Sequence, residues 1–586
     1  MKKTKPPQQQ NLEALTLTYD LFDLPTAQHK AGLAGLILQI RSMHDRKVEP
    51  ESIPIIENLT PTSATIRFTQ RSVQGLFDDL YDSEFVEVTV EKKWPDEKPK
   101  RVEETRQTDP TTGKTRIVKQ FVYEVIQPCG LYEVIQPCGH FLRQHYPDGN
   151  GLWLKLWRDM LWDIPRAKPT TRGPFESRAA KQPCAEGQTV WKELLGFVKD
   201  RTKNVIRTCE VASALLLGAQ ARSAECVPFR GRSDHTLLLH FWPLTSMIFV
   251  PRQIDENGKA DFLGYTLAIP EVANLEEFCR IYPRMLAQLD TARTGYRPRA
   301  AVIDIPQQAG LEFLQNLSLL ADHAARRMDI INCLAAIEYL HLVKVRNNVK
   351  LMASGRMVSD DRIPYLLDQY VALLGRDRDR FHNPLFRAGV MLALLEGKPW
   401  YLPMRAPLME RPWPLFVRSE KTPAGLPWFA ADVRKKLQDV LQDYQEEDAA
   451  MNEIQTLDAA QSRPKPPLEL LVYRLIQNYV RRKTEEKCGI RWEDFKDKKV
   501  KDENTGKQRI NIPREYQEAR EKVVSDGFLA MRSRREQDFV DYFTATVCSV
   551  AQFLPEDEFC VVAKALLEEP EKVKVLALLA FSASSL

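Results

Sequence analysis

The hydrophobic periodicity of the chain changes once, near Pro427, and this change limits the folds that the chain can adopt. Before it, segments that alternate apolar and polar residues, as strands do, are interspersed with segments of helical period. After it, only the helical period is convincing. At 586 residues the chain is also long enough for more than one core. The sequence therefore predicts an α+β fold, with a mixed body of antiparallel strands and many helices over residues 1–430 and an all-α helical bundle over 431–586.

Several segments of the body carry the alternation of a half-buried strand. Strands are predicted over residues 15–21, 63–69, 227–244, 261–270 and 342–351, and a long hairpin with a polar, mobile tip is predicted from 85–94 and 116–128. A helix is expected after Pro25-Thr26, where Gly32 and Gly35 either admit a closely packed backbone or are merely tolerated. The clearest helix of the bundle is expected to begin at Pro467.

Overall charge does not mark this chain as a binder of nucleic acid. The 83 basic and 79 acidic side chains nearly cancel and leave a net charge of +4, so only local clusters of cations can support such an argument. The largest local excess lies in the bundle, where residues 463–535 hold 20 Lys and Arg against 12 Asp and Glu.

The cysteines and the apolar runs indicate the compartment. The ten cysteines are scattered without paired spacing, which is typical of reduced thiols in a cytosolic protein. The first ten residues precede no apolar stretch, and the longest apolar runs are far shorter than a membrane span. The sequence therefore predicts a soluble, cytoplasmic protein that does not associate with a membrane.

No catalytic signature is convincing. Gly113-Lys114-Thr115 ends like a phosphate-binding loop but lacks the earlier glycine, and the pair His44-Asp45 has no further metal ligands nearby. A zinc site is the other alternative, on residues with suitable donor atoms: Cys129, Cys138, His140 and His145. However, the two cysteines are copies within a duplicated unit, YEVIQPCG, which explains their spacing without a metal. We therefore predict a binding protein with no enzymatic activity, no cofactor and no metal.

A helix anchored by tryptophans precedes a loop that is rich in cations. Trp153 and Trp157 lie on the apolar face of this helix, and three prolines then end it and stiffen the loop. The cations of the loop are Arg166, Lys168, Arg172 and Arg178. Fixed donors suit a phosphate backbone because less ordering entropy is lost when they bind. The alternative is a solvated basic loop beside an ordinary core helix.

Three further clusters have similar chemistry. They are Lys199, Arg201, Lys203, Asn204 and Arg207 near the start of a helix, Arg230 and Arg232 in an exposed turn, and Lys344, Arg346, Asn347, Asn348 and Lys350 on the strand 342–351, whose polar face carries alternate residues. Arginine and asparagine read base edges, whereas lysine mostly senses phosphate charge. Each cluster alone has the alternative of a solvated face. Together, and without a catalytic set, the clusters favour nucleic-acid binding.

Five blocks of the sequence resemble the large subunit of type I CRISPR surveillance complexes (Cascade), most closely the Myxococcus-type branch that is also placed in subtype I-B. The blocks are LTYDLFDLPTAQHKAGLAGLILQI, GLWLKLWRDMLWDIPRAKPTTRGPFESR, LLLHFWPL, NPLFRAGVMLALLEGKPWY and LLVYRLIQNYVRRKTEEKCG. They follow one another in the order and spacing of the family over nearly the whole chain. They identify the family better than they identify functional residues.

The resemblance implies a function and a set of partners. The family's large subunit lies near the 5′ end of the guide CRISPR RNA, contacts the target double-stranded DNA at the protospacer-adjacent motif and helps to open the strands. The C-terminal bundle is similar to the small subunit, which holds the displaced single strand. The implied protein partners are the backbone, handle-binding and small subunits of Cascade, and a recruited helicase-nuclease or transposition proteins.

Under this resemblance the clusters are expected to have different roles. Arg230, Arg232, Asn347 and Asn348 are assigned to the duplex or its motif, Arg172, Arg178, Lys203 and Asn204 to the RNA handle or target backbone, and Arg474, Arg481, Arg482 and Lys483 of the bundle to single-stranded DNA. Two other classes of function remain open. A nuclease would need a metal-binding cluster of carboxylates or histidines, and a scaffold would bridge proteins through apolar patches without binding nucleic acid.

Overall fold

The computed structural model describes residues 14–86, 88–90, 101–108, 115–123, 135–146, 151–218, 229–291, 293–294, 297–321, 326–375, 380–418, 428–454, 465–501, 508–549 and 554–586. The chain divides into two compact units. The first unit comprises the residues up to Pro251 together with Leu263–Pro364, and the second comprises Arg252–Phe262 together with Tyr365–Leu586.

The strands and helices are numbered here in chain order. The strands are β1 (Ala14–Asp20), β2 (Ile55–Leu59), β3 (Ser63–Thr69), β4 (Ser83–Phe85), β5 (Val88–Val90), β6 (Arg101–Thr108), β7 (Thr115–Tyr123), β8 (Ile135–Pro137), β9 (Thr208–Glu210), β10 (Arg230–Arg232), β11 (Met247–Ile254), β12 (Ala260–Phe262), β13 (Tyr265–Val272), β14 (Arg293–Thr294), β15 (Arg297–Pro298), β16 (Val302–Ile303), β17 (Leu334–Val345), β18 (Asn348–Val358), β19 (Lys499–Lys501) and β20 (Gln508–Ile510). The α-helices are α1 (Ala27–Asp45), α2 (Gln70–Leu80), α3 (His140–Arg143), α4 (Leu152–Asp163), α5 (Gly173–Ala179), α6 (Ala185–Arg201), α7 (Ser233–Thr236), α8 (Leu275–Gln288), α9 (Gln308–Ser318), α10 (Arg327–Ile331), α11 (Ile363–Leu374), α12 (Pro384–Glu396), α13 (Arg405–Glu410), α14 (Phe429–Ile454), α15 (Leu468–Cys488), α16 (Arg514–Ser533), α17 (Glu536–Tyr542), α18 (Glu556–Glu568) and α19 (Pro570–Ser584).

The first unit is organised around a sheet in which β11, β13, β17 and β18 follow one another as antiparallel neighbours, and the short β16 pairs with β11 in parallel. Strand β13 is buried along nearly its whole length, as expected for a central strand. Strand β18 lies at the edge and exposes most of its residues. The register of the last pair places Val345 opposite Asn348. The edge strand and the turn that precedes it are therefore available to a ligand.

Helix α1 shows why two glycines occur on a buried helix. It begins after Thr26, whose hydroxyl accepts a hydrogen bond from the His29 N–H. A Cβ atom added at Gly32 would overlap the carbonyl oxygen of Leu238, and one added at Gly35 would overlap the carbonyl oxygen of Phe241. The first of the two sequence interpretations is confirmed, because these glycines do admit another backbone.

Several of the predicted strands take a different form, and 261–270 is divided between β12 and β13. In the predicted strand 227–244, the described residues 229–244 include β10 and then helical turns. An apolar run that is buried on all sides does not distinguish a strand from helical turns. In the predicted hairpin of 85–94 and 116–128, the described residues include β5 and most of β7, which belong to a three-stranded sheet of order β5, β7, β6. Part of its polar tip is β6, which pairs with β7. The segment 342–351 contains the end of β17, a turn and the start of β18.

The second unit is mainly helical. Helices α14, α15 and α16 contact α19, and α19 is buried at nearly every position from Val573 to Ser584. Helix α15 follows Pro467, as predicted. A short hairpin of β19 and β20 also occurs here, where the sequence predicted helices alone. Antiparallel sheets, many helices and a helical C-terminal region confirm the mixed α+β class.

Candidate nucleic-acid interface

A groove of about 560 Å³ opens on the first unit beside the turn between β17 and β18. Three chain segments line it: the loop after α4, the stretch after β9 and the β17–β18 hairpin. Its polar lining includes Lys168, Ser213, Asn347 and Asn348, and most of the remaining wall is apolar. We call it the hairpin groove. A ligand in this groove would meet a hydrophobic surface with a few fixed polar groups.

The tip of the β17–β18 hairpin supplies the amides of the groove. Because Val345 pairs with Asn348, the residues between them form a two-residue turn. Arg346 in this turn adopts a φ angle of 59°, and Asn347 and Asn348 are exposed. A two-stranded ribbon of this kind fits the major groove of DNA, and an asparagine amide can bind an adenine edge there.

The cations of segment 342–351 do not share one face. Lys344 and Lys350 belong to successive pairs of the register, so their side chains point to opposite faces of the hairpin. The Lys344 Nζ atom lies 3.3 Å from Asp163 Oδ1, which joins the hairpin to the end of α4. The prediction that these cations share one polar face of a strand is therefore wrong. This segment lacks Asn-Gly and Asp-Gly, the usual signals of a two-residue turn. Its apolar and polar residues alternate across the turn, so nothing in the local sequence indicates that the chain reverses there.

Two cations of the loop after α4 are buried. Arg166 is 8% exposed, and its Nη2 atom donates a hydrogen bond to the Tyr81 hydroxyl at 2.8 Å. Arg172 is also 8% exposed. Its Nε atom donates to the Arg166 carbonyl oxygen at 3.1 Å, and its guanidinium lies 5.1 Å from the centre of a Trp162 ring. These arginines fix the loop from inside.

Of the other two predicted cations, Lys168 lies in the loop after α4 and Arg178 lies on α5. Arg178 is half-buried, donates from Nε to the Asp78 carbonyl oxygen at 3.1 Å, and lies 3.4 Å from Asp82 Oδ1. Lys168 is exposed and lines the hairpin groove. The structure thus places three of the four predicted cations in intramolecular contacts and one, Lys168, at the groove.

The second and third predicted clusters come together at the small sheet of β9 and β10. The register places Arg232 opposite Thr208, and the Nη2 atom of Arg230 donates to the Thr208 carbonyl oxygen at 3.0 Å. From β9 the chain continues into the wall of the hairpin groove at 212–214. The exposed cations and amide of this surface are Lys199, Arg201, Lys203, Asn204, Arg207 and Arg230. Of these, Arg207 lies 3.3 Å from Asp200 Oδ2 through its Nη1 atom.

Arg232 is held by a buried polar cluster. Its Nη2 atom lies 2.7 Å from Asp234 Oδ2, and Asp234 is 4% exposed. The rings of His29 and His235 lie 6.1 Å apart beside it. Burial, together with the charge of His235, lowers the pKa of His29 to about 4, and burial also lowers the pKa of His235. Both imidazoles are therefore neutral near pH 7. Arg232, the last residue of β10, is held by its ion pair with Asp234.

The predicted cations of the second unit lie on α15. Arg474 Nη1 is 3.4 Å from Glu558 Oε2, and Lys483 Nζ is 2.7 Å from Glu486 Oε2 on the same helix. Arg481 is partly exposed and Arg482 is exposed. Ion pairs at the surface are weak, so they do not prevent these side chains from contacting a phosphate.

One group of potential metal ligands occurs in the described part of the chain. It consists of Asp82, Cys138 and His140, whose donor atoms all lie within 4.8 Å of one another. His140 Nε2 is 2.9 Å from Asp82 Oδ2. Although burial raises the pKa of the Asp82 carboxyl, hydrogen bonds from His140 and Cys138 and the charge of Arg178 lower it to about 2. The group works as a hydrogen-bonded network. The other cysteine of the duplicated unit lies outside the described residues.

Two family models match the chain in succession. The model of the Type I-B CRISPR Cas8b N-terminal domain matches residues 53–327, and that of the Type I-B CRISPR Cas8b C-terminal domain matches residues 334–584. No curated protein matches the chain. Over the ranges that the structure describes, no helix combines the length and the apolar character needed to cross a membrane.

Proposed function

Because the chain belongs to the type I-B CRISPR Cas8b family and is thus a large subunit of Cascade, we propose that it recognises the duplex at the protospacer-adjacent motif, aids strand opening and stabilises the displaced strand. It performs these roles by binding alone and catalyses no reaction. Its proposed partners are the guide CRISPR RNA, the target DNA, the other Cascade subunits and a recruited helicase-nuclease or transposition machinery.

The hairpin groove is the observation that carries this proposal. It joins Lys168 to Asn347 and Asn348, which come from two separate predicted clusters. A lysine suits a phosphate, whereas asparagine amides suit base edges. Recognition of a short duplex motif requires contacts to the DNA backbone and to the bases at one site. The protein needs to read only this motif, because base pairing with the guide reads the remaining sequence.

The β9–β10 surface extends this site along the chain. Lys203, Asn204 and Arg230 are exposed there, and the chain leads directly from this sheet into the groove wall. We assign these residues to the phosphate backbone. We assign Arg166, Arg172 and Arg178 a supporting role instead of direct contact, because their side chains are buried or half-buried and are bonded within the protein, whereas Arg230 is exposed.

The two alternative functions have less support. A two-metal nuclease needs several carboxylates around its ions, whereas the donor group found among the described residues contains one carboxylate, which also pairs with Arg178. Incubation of the purified chain with labelled DNA and Mg²⁺ or Mn²⁺ tests this alternative, and cleavage that Asp82→Asn abolishes would support it.

Purification of the chain with the partners encoded beside it tests the proposal. We expect the complex to carry CRISPR-derived RNA when the bound nucleic acid is sequenced. Its affinity for target DNA should fall with salt, with a slope of about −0.9 in log K against log salt for each phosphate contacted. A complex without RNA, or an affinity that does not change with salt, would favour the scaffold instead.

A further inference from the structure

A buried guanidinium of the first unit has no anionic partner. Arg166, in the loop after α4, is 8% exposed. Its Nη2 atom donates to the Tyr81 hydroxyl, but its Nε atom is also buried and has no hydrogen-bond partner among the described residues. Nor does Arg166 form an ion pair with an aspartate or glutamate in the part of the chain that the structure describes. Glu186, whose carboxylate acts on Tyr81, accepts a hydrogen bond from the Cys184 thiol instead. An unpaired charge and an unused donor are costly to hold inside a protein.

The groups that do contact Arg166 carry no charge near pH 7. The Tyr81 hydroxyl accepts from Arg166 and lies 2.6 Å from His240 Nδ1. Burial raises the pKa of Tyr81, and burial together with the charge of Arg166 lowers the pKa of His240 to about 3. The rings of Tyr81 and Phe175 also face the guanidinium, with their centres 5.2 and 5.9 Å from its carbon atom. Aromatic rings attract a cation without neutralising its charge.

A small cavity adjoins this arginine. Arg166, Tyr81 and His240 line it together with apolar side chains. Its volume of about 20 Å³ admits one water molecule or one monatomic ion and excludes larger anions such as phosphate. Two indole N–H groups of the lining, those of Trp157 and Trp242, already donate to main-chain carbonyl oxygens. The buried side-chain donor of this lining that lacks a partner is therefore the Arg166 Nε–H.

The lining favours an anion over water. A buried water molecule makes about three hydrogen bonds, as donor and as acceptor, so it needs acceptors in the wall. The Tyr81 hydroxyl already accepts from Arg166, which leaves its own proton for His240 Nδ1, and most of the remaining wall is apolar. An anion needs donors alone, and its charge also neutralises the guanidinium at short distance.

We propose that this cavity binds a single chloride ion, which accepts the hydrogen bond of Arg166 Nε–H and compensates the charge of the guanidinium. The apolar wall favours weakly hydrated halides, so bromide should bind as well and strongly hydrated fluoride should not. Pro165 and Ala214 line both this cavity and the hairpin groove. The ion thus stabilises the loop that presents Lys168 to the groove, although the site itself does not depend on nucleic-acid binding.

Thermal unfolding of the full-length chain at constant ionic strength tests this inference, with potassium chloride replacing potassium glutamate in steps. We expect the unfolding temperature of the wild-type chain, relative to that of Arg166→Met, to rise by about 2 °C for each tenfold increase in chloride above the dissociation constant. The subtraction removes general salt effects, which act on both proteins. Arg158→Met is the matched control and should respond to chloride as the wild type does, because Arg158 is also buried but donates to the Pro137 carbonyl oxygen.

A second measurement locates the ion without a variant. Crystals of the intact chain in bromide should give an anomalous scattering peak within hydrogen-bond distance of Arg166 Nε. A water molecule at this position overturns the inference, as does an equal response of the wild-type and Arg166→Met chains to chloride. If Arg166→Met does not fold, the bromide peak decides the question. Neither overturning result affects the proposed function, which motif discrimination by the assembled complex tests separately.

Discussion

Individual cations of this chain have different environments that their sequence context does not reveal. Arg166 and Lys168 are two residues apart in one proline-rich loop, yet Arg166 is buried against Tyr81 and Lys168 is exposed at the groove. The loop composition indicated a cationic segment but not which of its cations are buried. The inward direction of Arg166 depends on Tyr81, which is distant in sequence, and no local pattern encodes that contact.

The buried His29 makes stability depend on pH. Its pKa is about 4 in the folded chain and 6.5 without burial, so the unfolded state binds more protons between these values. The free energy of unfolding should therefore fall as the pH is lowered from about 6.5 toward 4, by about 3 kcal/mol for this residue. Urea unfolding at a series of pH values measures this dependence.

A matched pair of variants assigns the effect to His29. His29→Gln should make the pH dependence less steep, with the buried His240 still contributing because burial lowers its pKa to about 3. His44→Gln, at the exposed end of the same helix, should leave the dependence unchanged. An equally steep dependence in both variants would show that other groups are responsible.

At the scale of elements, the sequence was most informative where periodicity was long and caps were clear. Helix α1 after Thr26, helix α15 after Pro467 and strands β1 and β3 were all predicted. The β17–β18 turn was missed because Arg346-Asn347 is not a usual turn sequence. The groove wall at 212–218 was also missed, since it approaches the loop after α4 only in the folded chain.

Helix α1 is expected to tolerate no side chain at its contact with residues 237–244. Gly32→Ala would drive a methyl group into the Leu238 carbonyl oxygen, and we expect a loss of about 3 kcal/mol in the free energy of unfolding. Gly173→Ala is the control, because a Cβ atom there meets nothing within 4 Å. Chemical denaturation measures the free energy of unfolding of both variants. A similar small loss at the two positions would refute the close approach of the Leu238 backbone to α1.

For the whole molecule, the division of labour that we propose follows the two units. The first unit holds the hairpin groove and the β9–β10 surface, and the second holds the cations of α15. Composition could not have shown this, because the charges nearly cancel over the chain. The α+β class and the family were predictable from the sequence, whereas the separation of structural from exposed cations required the fold.

The central claim is that the hairpin groove reads the duplex motif, and motif discrimination by the assembled complex tests it most directly. The measurement is the ratio of affinities for a target duplex with its motif and for the same duplex with the motif scrambled. We predict that Asn347→Ala/Asn348→Ala lowers this ratio by about tenfold or more, since each amide-to-base contact is worth about 1–3 kcal/mol of discrimination. Asn257→Ala, in an exposed turn of the second unit, should keep the wild-type ratio. An unchanged ratio in the hairpin variant would contradict the account.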